Sequence, residues 1–173
     1  ITGNIMSMPY LKLLDIDFPK KFVDKFQGPK FGIQGIRDIL GAYDRPLLNN
    51  MIKPCTGYTP DVGAKLFFEA AAGGVDVIKD DELIGGDRSF NKLADRVKAN
   101  MDAAHRAEEV KGEKTLYACN ITDEVSRLKA NAMTVIENGG NCIMVDVHGI
   151  GYSAVRMLAE DPDITVPILG HSC

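Results

Sequence analysis

From about Leu47 onward, short apolar, β-rich runs alternate with longer stretches whose apolar residues recur at helical spacing. That alternation is the mark of parallel βαβ units. The first strand-like run covers residues 46–53. Residues 60–72 then read as a helix, with Thr59 at the N-cap, Pro60 in the first turn where a missing N–H is tolerated, and Gly73-Gly74 closing it. A second strand is predicted over 75–79, and a long amphipathic helix from about Phe90 to Val110 with Leu93, Val97, Met101 and Ala104 on its apolar face. The third strand falls at 115–120. A helix from Asp123 to about Asn138 is expected to bury Val125, Leu128, Ala132 and Val135 before Gly139-Gly140 stops it. A fourth strand at 142–147, a helix at 153–160 and a fifth strand at 166–169 complete the series.

Five strands with helical crossovers fit either a doubly wound sheet or consecutive units of a (β/α)8 barrel. No Gly-x-Gly-x-x-Gly or Walker loop follows any strand, which removes the usual nucleotide-binding reason for an open sheet. Polar residues instead stand at the C-terminal end of each strand: Lys53, Lys79, Asn120, Asp146 with His148, and His171. A barrel places its chemistry there. The predicted fold class is therefore α/β, a partial (β/α)8 TIM barrel of strands one to five. Before it the pattern changes, with Pro9, Pro19, Pro29 and a helix-like segment from Gly32 to Leu40. Residues 1–28 are read as the end of an N-terminal α+β domain and its connection, and 29–173 as the first half of the barrel. A complete barrel takes about 250 residues, so a chain of 173 is expected to be an internal part of a larger protein, incomplete at Cys173. A half barrel standing alone would expose apolar strand faces and an unpaired edge.

Composition narrows the class without naming a function. Hydrophobic residues at 45% and charged residues at 25% are ordinary for a globular domain, which excludes disordered, collagenous and disulfide-scaffold chains. The net charge of −4, with no basic block, argues against a nucleic-acid partner. No apolar run is long enough for a membrane span and no leader precedes a cleavage site, so a cytoplasmic location is expected. Cys55, Cys119, Cys142 and Cys173 form no Cys-x-x-Cys pair and are read as reduced thiols in small packing positions. His105, on the long helix, is assigned to packing or surface.

The run Gly73-Gly74-Val75-Asp76-Val77-Ile78-Lys79-Asp80-Asp81-Glu82 carries the strongest chemical signal. Residues two apart on a strand share a face, so Lys79 and Asp81 should both point into the barrel mouth while Asp80 points out. Glu82 lies just beyond, at the turn. Two carboxylates can hold a hard divalent cation, and Mg2+, which keeps several waters, suits such a site. The lysine is the anomaly, because an ammonium should not sit beside a cation. Either it pairs with the acids as an ion cluster, or it is neutral and carries CO2 as a carbamate, which adds a third oxygen ligand.

Pro46-Leu47-Leu48 with Met51-Ile52-Lys53-Pro54, followed by Gly73-Gly74-Val75-Asp76 with Lys79-Asp80-Asp81-Glu82, resembles the large subunit of ribulose-bisphosphate carboxylase (RuBisCO) and the RuBisCO-like proteins of form IV type. Thr2-Gly3-Asn4, Phe26-Gln27-Gly28-Pro29 and Gly32-Ile33-Gln34 resemble the same family, so the likeness covers nearly the whole chain. It implies that Lys79 is carbamylated by CO2 and holds Mg2+ together with Asp81 and Glu82. It implies further that Lys53 handles protons at the substrate carbonyl, and that Asn4 serves the neighbouring subunit's active site. His171 falls at a histidine of the family's fifth strand, while Asn120, Asp146 and His148 are possible substrate contacts. The implied partner is a phosphorylated sugar, and the implied assembly a homodimer or a larger homo-oligomer of dimers.

Departures from the carboxylase pattern narrow the reaction. Carboxylases read Lys-Pro-Lys-Leu-Gly after strand one, whereas this chain has Lys53-Pro54-Cys55-Thr56-Gly57. Met51 stands where carboxylases usually have threonine, and Ser172 follows His171 where they have a phosphate-gripping arginine. Strand four ends Val145-Asp146-Val147-His148 in place of a His-Asp pair. An arginine that binds phosphate bidentately is a strong, directional contact, so its absence favours a substrate with one phosphate. The run Lys114 to Thr122 resembles RuBisCO-like proteins that handle methylthio-sugar phosphates. The expected function is Mg2+-dependent enolisation of a phosphorylated ketose or sugar acid: isomerase or enolase action on a methylthio-ribulose phosphate, or decarboxylation of a 3-oxo sugar-acid phosphate. The alternatives are a true carboxylase that fixes CO2, and a non-catalytic paralogue with an assembly or regulatory role.

Overall fold

A computed structural model describes residues 9–10, 12–55 and 57–172. The elements run α1 (Lys20–Val23), α2 (Gly32–Leu40), β1 (Asn49–Met51), α3 (Pro60–Ala72), β2 (Val77–Lys79) and α4 (Leu93–Lys111). They continue with β3 (Leu116–Asn120), α5 (Val125–Glu137), β4 (Cys142–Asp146), α6 (Val147–Ile150), α7 (Tyr152–Glu160) and β5 (Ile168–His171). All neighbouring strands are parallel, and their order in the sheet is their order in the chain. A doubly wound sheet reverses that order at a switch point. Monotonic order with helical crossovers is instead the arrangement of consecutive barrel units, and the five strands form a curled half barrel, as the strand pattern implied.

Register carries the period-two pattern across the sheet. Val77 pairs with Leu116, Lys79 with Ala118, Ala118 with Cys142 and Met144 with Leu169. Leu116, Ala118, Cys142 and Met144 cluster on one face with Leu40 and Ala42, and Ile36, Ile39, Val77 and Leu169 pack against them. This is the inner face, and α2 covers it near the strands' N-terminal ends. The opposite face carries Ile78, Tyr117, Cys119, Ile143 and Val145, which pack into the helix layer with Phe67, Val97, Leu128 and Leu158. Burial of both faces explains why β3 is buried at every position.

Several boundaries differ from the sequence reading. The long helix starts at Leu93 and not near Phe90, because Lys92 is extended and the Asp87 carboxylate accepts the Leu93 N–H at 2.9 Å. Thr59 occupies the N-cap of α3, yet its hydroxyl makes no capping bond. Val125, expected in the core, is the first residue of α5, ahead of the stripe formed by Leu128, Ala132 and Val135, and is 50% exposed. The fifth strand begins two residues late, since Pro167 has no N–H to give the ladder, and runs on through His171. The short helices α1 and α6 had no counterpart in the periodicity. For α6 the cause is local: the Asp146 carboxylate accepts the His148 N–H at 3.1 Å, as an N-cap does. Cys119 and Cys142 are buried free thiols and Cys55 is a half-buried one, while Asn4 and Cys173 lie outside the described residues. Among the described residues no helix is long and apolar enough to cross a membrane.

Candidate active site

Lys79 ends β2 on the inner face, and the chain then leaves the strand through Asp80, Asp81 and Glu82. The Lys79 ammonium is nearly buried, at 8% residue exposure. Its neighbours are the Met51 Sδ at 3.0 Å, the Asp80 carbonyl at 3.4 Å and Glu82 Oε2 at 3.6 Å. Met51 is there because β1 pairs with β2 in the register that sets Met51 beside Lys79. A thioether is a weak acceptor, so this buried cation is poorly partnered. Glu82 Oε2 is likewise buried and accepts no hydrogen bond.

Asp81 is fully buried and is bonded to the Lys53 ammonium and, at 2.9 Å, to the Leu83 N–H. Burial pushes its pKa up, but the Lys53 hydrogen bond, the Leu83 N–H and the charges of Lys53 and Lys79 outweigh that and hold it below the usual carboxylate range. The same hydrogen bond raises the Lys53 ammonium above its ordinary value, against partial desolvation and with help from the Asp81 and Glu82 charges. Lys53, Lys79, Asp81 and Glu82 therefore converge at the C-terminal ends of β1 and β2.

Among the described residues no three His, Cys, Asp or Glu side chains come together as a metal cage. Two carboxylates, Asp81 and Glu82, lie next to each other in the chain at the end of β2, and the third nearby group is the Lys79 amine. The donor set fits Mg2+ if Lys79 contributes an oxygen, and Glu82 Oε2, buried without a hydrogen bond beside Lys79 Nζ, is an acceptor suited to a cation.

The other sequence-derived candidates lie along the same rim. Asp146 and His171 face each other in the β4–β5 register, and His171 Nδ1 is buried without a hydrogen bond. His148 is exposed in α6, its ring edge-on to Tyr152 at 6.2 Å. Asn120 is fully buried beneath the Asp81–Glu82 turn, and donates to the Asp81 and Glu82 carbonyls at 3.3 and 3.0 Å.

Asp80 shows what the sequence reading left undeveloped. It does point away from the mouth, but into the helix layer and not to solvent. There it accepts from Arg96 Nε at 3.1 Å, the Tyr117 hydroxyl at 2.7 Å and the Asn120 N–H at 3.0 Å, and Arg96 is 1% exposed. Burial opposes the Arg96 charge, but Asp80 more than compensates and raises its pKa; burial and the Asp80 charge together push the Tyr117 phenol well up. A signal was present: Arg96 stands between Leu93 and Val97 on the buried stripe of α4, where a charge demands a partner.

The sequence model described as "Ribulose bisphosphate carboxylase large chain, catalytic domain" matches residues 32–168. A ribulose bisphosphate carboxylase-like protein of Archaeoglobus fulgidus is 54% identical over 171 residues, 99% of this chain, which spans 39% of that relative's length. The crystal structure of a rubisco-like protein (MtnW) from Alicyclobacillus acidocaldarius superposes with a TM-score of 0.83 at 41% identity, over 90% of this chain and 39% of that one. The dimeric archaeal Rubisco of Hyperthermus butylicus gives a TM-score of 0.81 at 37% identity, over 89% and 36% of the two chains.

Proposed function

The chain belongs to the ribulose bisphosphate carboxylase large-chain family, and on that premise we propose that it carries the metal-holding part of a site that enolises a phosphorylated ketose or sugar acid. One arrangement supports this above all: Lys79, Asp81 and Glu82 meet at the inner-face end of β2, with Glu82 Oε2 buried and unbonded 3.6 Å from the lysine. In this proposal Mg2+ is held by Asp81, Glu82 and a carbamate on Lys79. Lys79 would first lose its ammonium proton; the neutral amine would then add to CO2, forming an N–C bond and releasing a second proton, so that a cation is replaced by an anionic oxygen ligand. When bound, Mg2+ supplies positive charge that stabilises a negative substrate oxygen.

The remaining work falls to the chain's own groups. Lys53, at the end of β1 beside Asp81, would orient an anionic substrate oxygen and return a proton to it. The proton on the carbon next to the carbonyl would go to a basic group at this site, either the Lys79 carbamate oxygen or a lysine whose pKa is lowered by burial near the metal. His171, with Nδ1 unbonded at the rim, offers a further contact to the sugar. Cys55 and Ser172 leave fewer cations for a second phosphate, which favours a monophosphate substrate over a bisphosphate. Isomerase or enolase action on a methylthio-ribulose phosphate is the favoured version, with decarboxylation of a 3-oxo sugar-acid phosphate next. The 54% identity to a carboxylase-like relative supports placing the chain on the carboxylase-like side of the family. The proposed setting is a cytoplasmic homodimer or larger assembly, in which residues 1–28 end a preceding domain and Asn4 serves the neighbouring subunit.

The test uses the full-length protein in deuterated water with a phosphorylated ketose, Mg2+ and bicarbonate. Deuterium should enter at the carbon next to the carbonyl, and Lys79→Ala should abolish the exchange. Exchange that persists unchanged in that variant sinks the role of Lys79. Labelled CO2 entering ribulose bisphosphate at enzymatic rates would establish a carboxylase instead.

A further inference from the structure

The turn that bears Asp81 and Glu82 is held from beneath by a buried side chain with no hydrogen-bonding capacity left over. Asn120 Nδ2 donates to the Asp81 carbonyl at 3.3 Å and the Glu82 carbonyl at 3.0 Å. Its Oδ1 accepts from the Thr122 N–H at 3.0 Å and the Thr122 hydroxyl at 2.6 Å. A primary amide has two N–H donors and one oxygen with two lone pairs, so all four places are taken. The Thr122 hydroxyl in turn accepts the Asp146 N–H at 2.8 Å. The main chain of Asn120 is fixed as well: its N–H goes to Asp80 Oδ2, and its carbonyl accepts from Arg96 at 3.3 Å. Arg96 also donates to the Asn91 and Gly86 carbonyls, at 3.1 and 3.4 Å.

Without Asn120 the Glu82 carbonyl would lose its described donor and the Asp81 carbonyl would keep only the Ile84 N–H at 3.1 Å, and a turn following a strand end is ordinarily free to shift. Metal ligands depend on groups of this kind, which fix their direction without touching the ion. We infer that Asn120 is a positioning residue: it clamps the Asp81–Glu82 main chain so that both carboxylates are presented beside Lys79, with Thr122 locking its amide and the Arg96–Asp80 pair locking its backbone. This rests on the metal site proposed above, and it gives Asn120 a task other than substrate contact.

The experiment uses Mn2+ in place of Mg2+ on the full-length protein in bicarbonate, reading affinity and the electron paramagnetic resonance line shape of the bound ion. Lys79→Ala serves as the control that removes the site. Asn120→Asp keeps the shape and deletes both N–H donors, and should weaken Mn2+ binding by about ten- to hundredfold with a changed line shape. The added carboxylate would by charge alone favour a cation, so weaker binding reports lost positioning. Thr122→Val removes the hydroxyl that locks the amide and should weaken binding by about tenfold, whereas Thr122→Ser, which keeps the hydroxyl, should restore wild-type affinity and line shape. That pair decides the matter if Asn120→Asp does not fold. Wild-type binding with unchanged affinity and line shape in Asn120→Asp or Thr122→Val overturns the positioning role and leaves the metal site standing. A wild-type protein that binds no Mn2+ overturns the metal site itself, and the positioning role with it.

Discussion

At the N-terminal ends of the strands the inner face is apolar: Leu40, Ala42, Leu116 and Cys142 belong to one buried cluster. The charges near that end are matched, Arg45 with Asp76 at 2.8 Å and Glu113 at 2.9 Å, and Lys111 with the Val75 carbonyl at 2.9 Å and the Thr115 hydroxyl at 2.7 Å. At the C-terminal ends of the same strands, Glu82 Oε2 and His171 Nδ1 are buried without hydrogen bonds, and Lys79 leans on a thioether. Buried polar groups are nearly always satisfied in folded proteins. One end of the half barrel is therefore apolar with matched charges, and the other keeps buried polar atoms without hydrogen bonds. Behind the second end lies the buried Asp80–Arg96 pair, at 3.1 Å.

The largest effect is expected from that pair. Arg96→Met leaves the Asp80 carboxylate buried without its cation and should cost about 4 kcal/mol of stability, read from urea unfolding of the full-length protein. A loss below about 1 kcal/mol would mean that the pair behaves as a surface ion pair. At the opposite end, Leu40→Ala opens a cavity and should cost about 3 kcal/mol while leaving Mn2+ affinity unchanged. A matching loss of metal affinity would erase the distinction between the ends.

The smallest effect is electrostatic. Arg45, by its hydrogen bond above all, with the Leu48 N–H and the Lys111 charge adding to it, outweighs burial and holds Asp76 below the ordinary carboxylate pKa of about 3.9. A carboxylate whose folded pKa is depressed contributes stability that is complete above its unfolded pKa and fades as pH falls toward the folded one. Arg45→Ala should therefore destabilise the protein at neutral pH, with the difference from wild type shrinking as pH falls through and below the ordinary carboxylate pKa of about 3.9. A difference that stays constant across that window would show that Arg45 acts through packing alone.

Much of this contrast was legible in the amino-acid order. The strict period of two placed Lys79 with Asp81 and turned Asp80 away, and the helix from Gly32 to Leu40 has the ends its pattern suggested. Less legible were features that depend on a distant partner. The start of α4 is set by Asp87, reaching forward from six residues upstream, and the extension of β5 to His171 by its pairing with β4. Asp80 read as one more acidic residue in a charged run until Arg96 and Tyr117 came to it from two other elements.

Sequence alone determined which residues share a face, because side-chain direction along a strand or helix follows from backbone geometry within one element. It also settled the parallel α/β class and the residues that could carry the chemistry. Only the tertiary structure decided which of those residues are partnered. Hydrogen bonding and desolvation act across space, so the full commitment of Asn120, the burial of Asp80 with Arg96, and the unbonded oxygen of Glu82 beside Lys79 arise only when the ends of β2 and β3 and α4 are brought together.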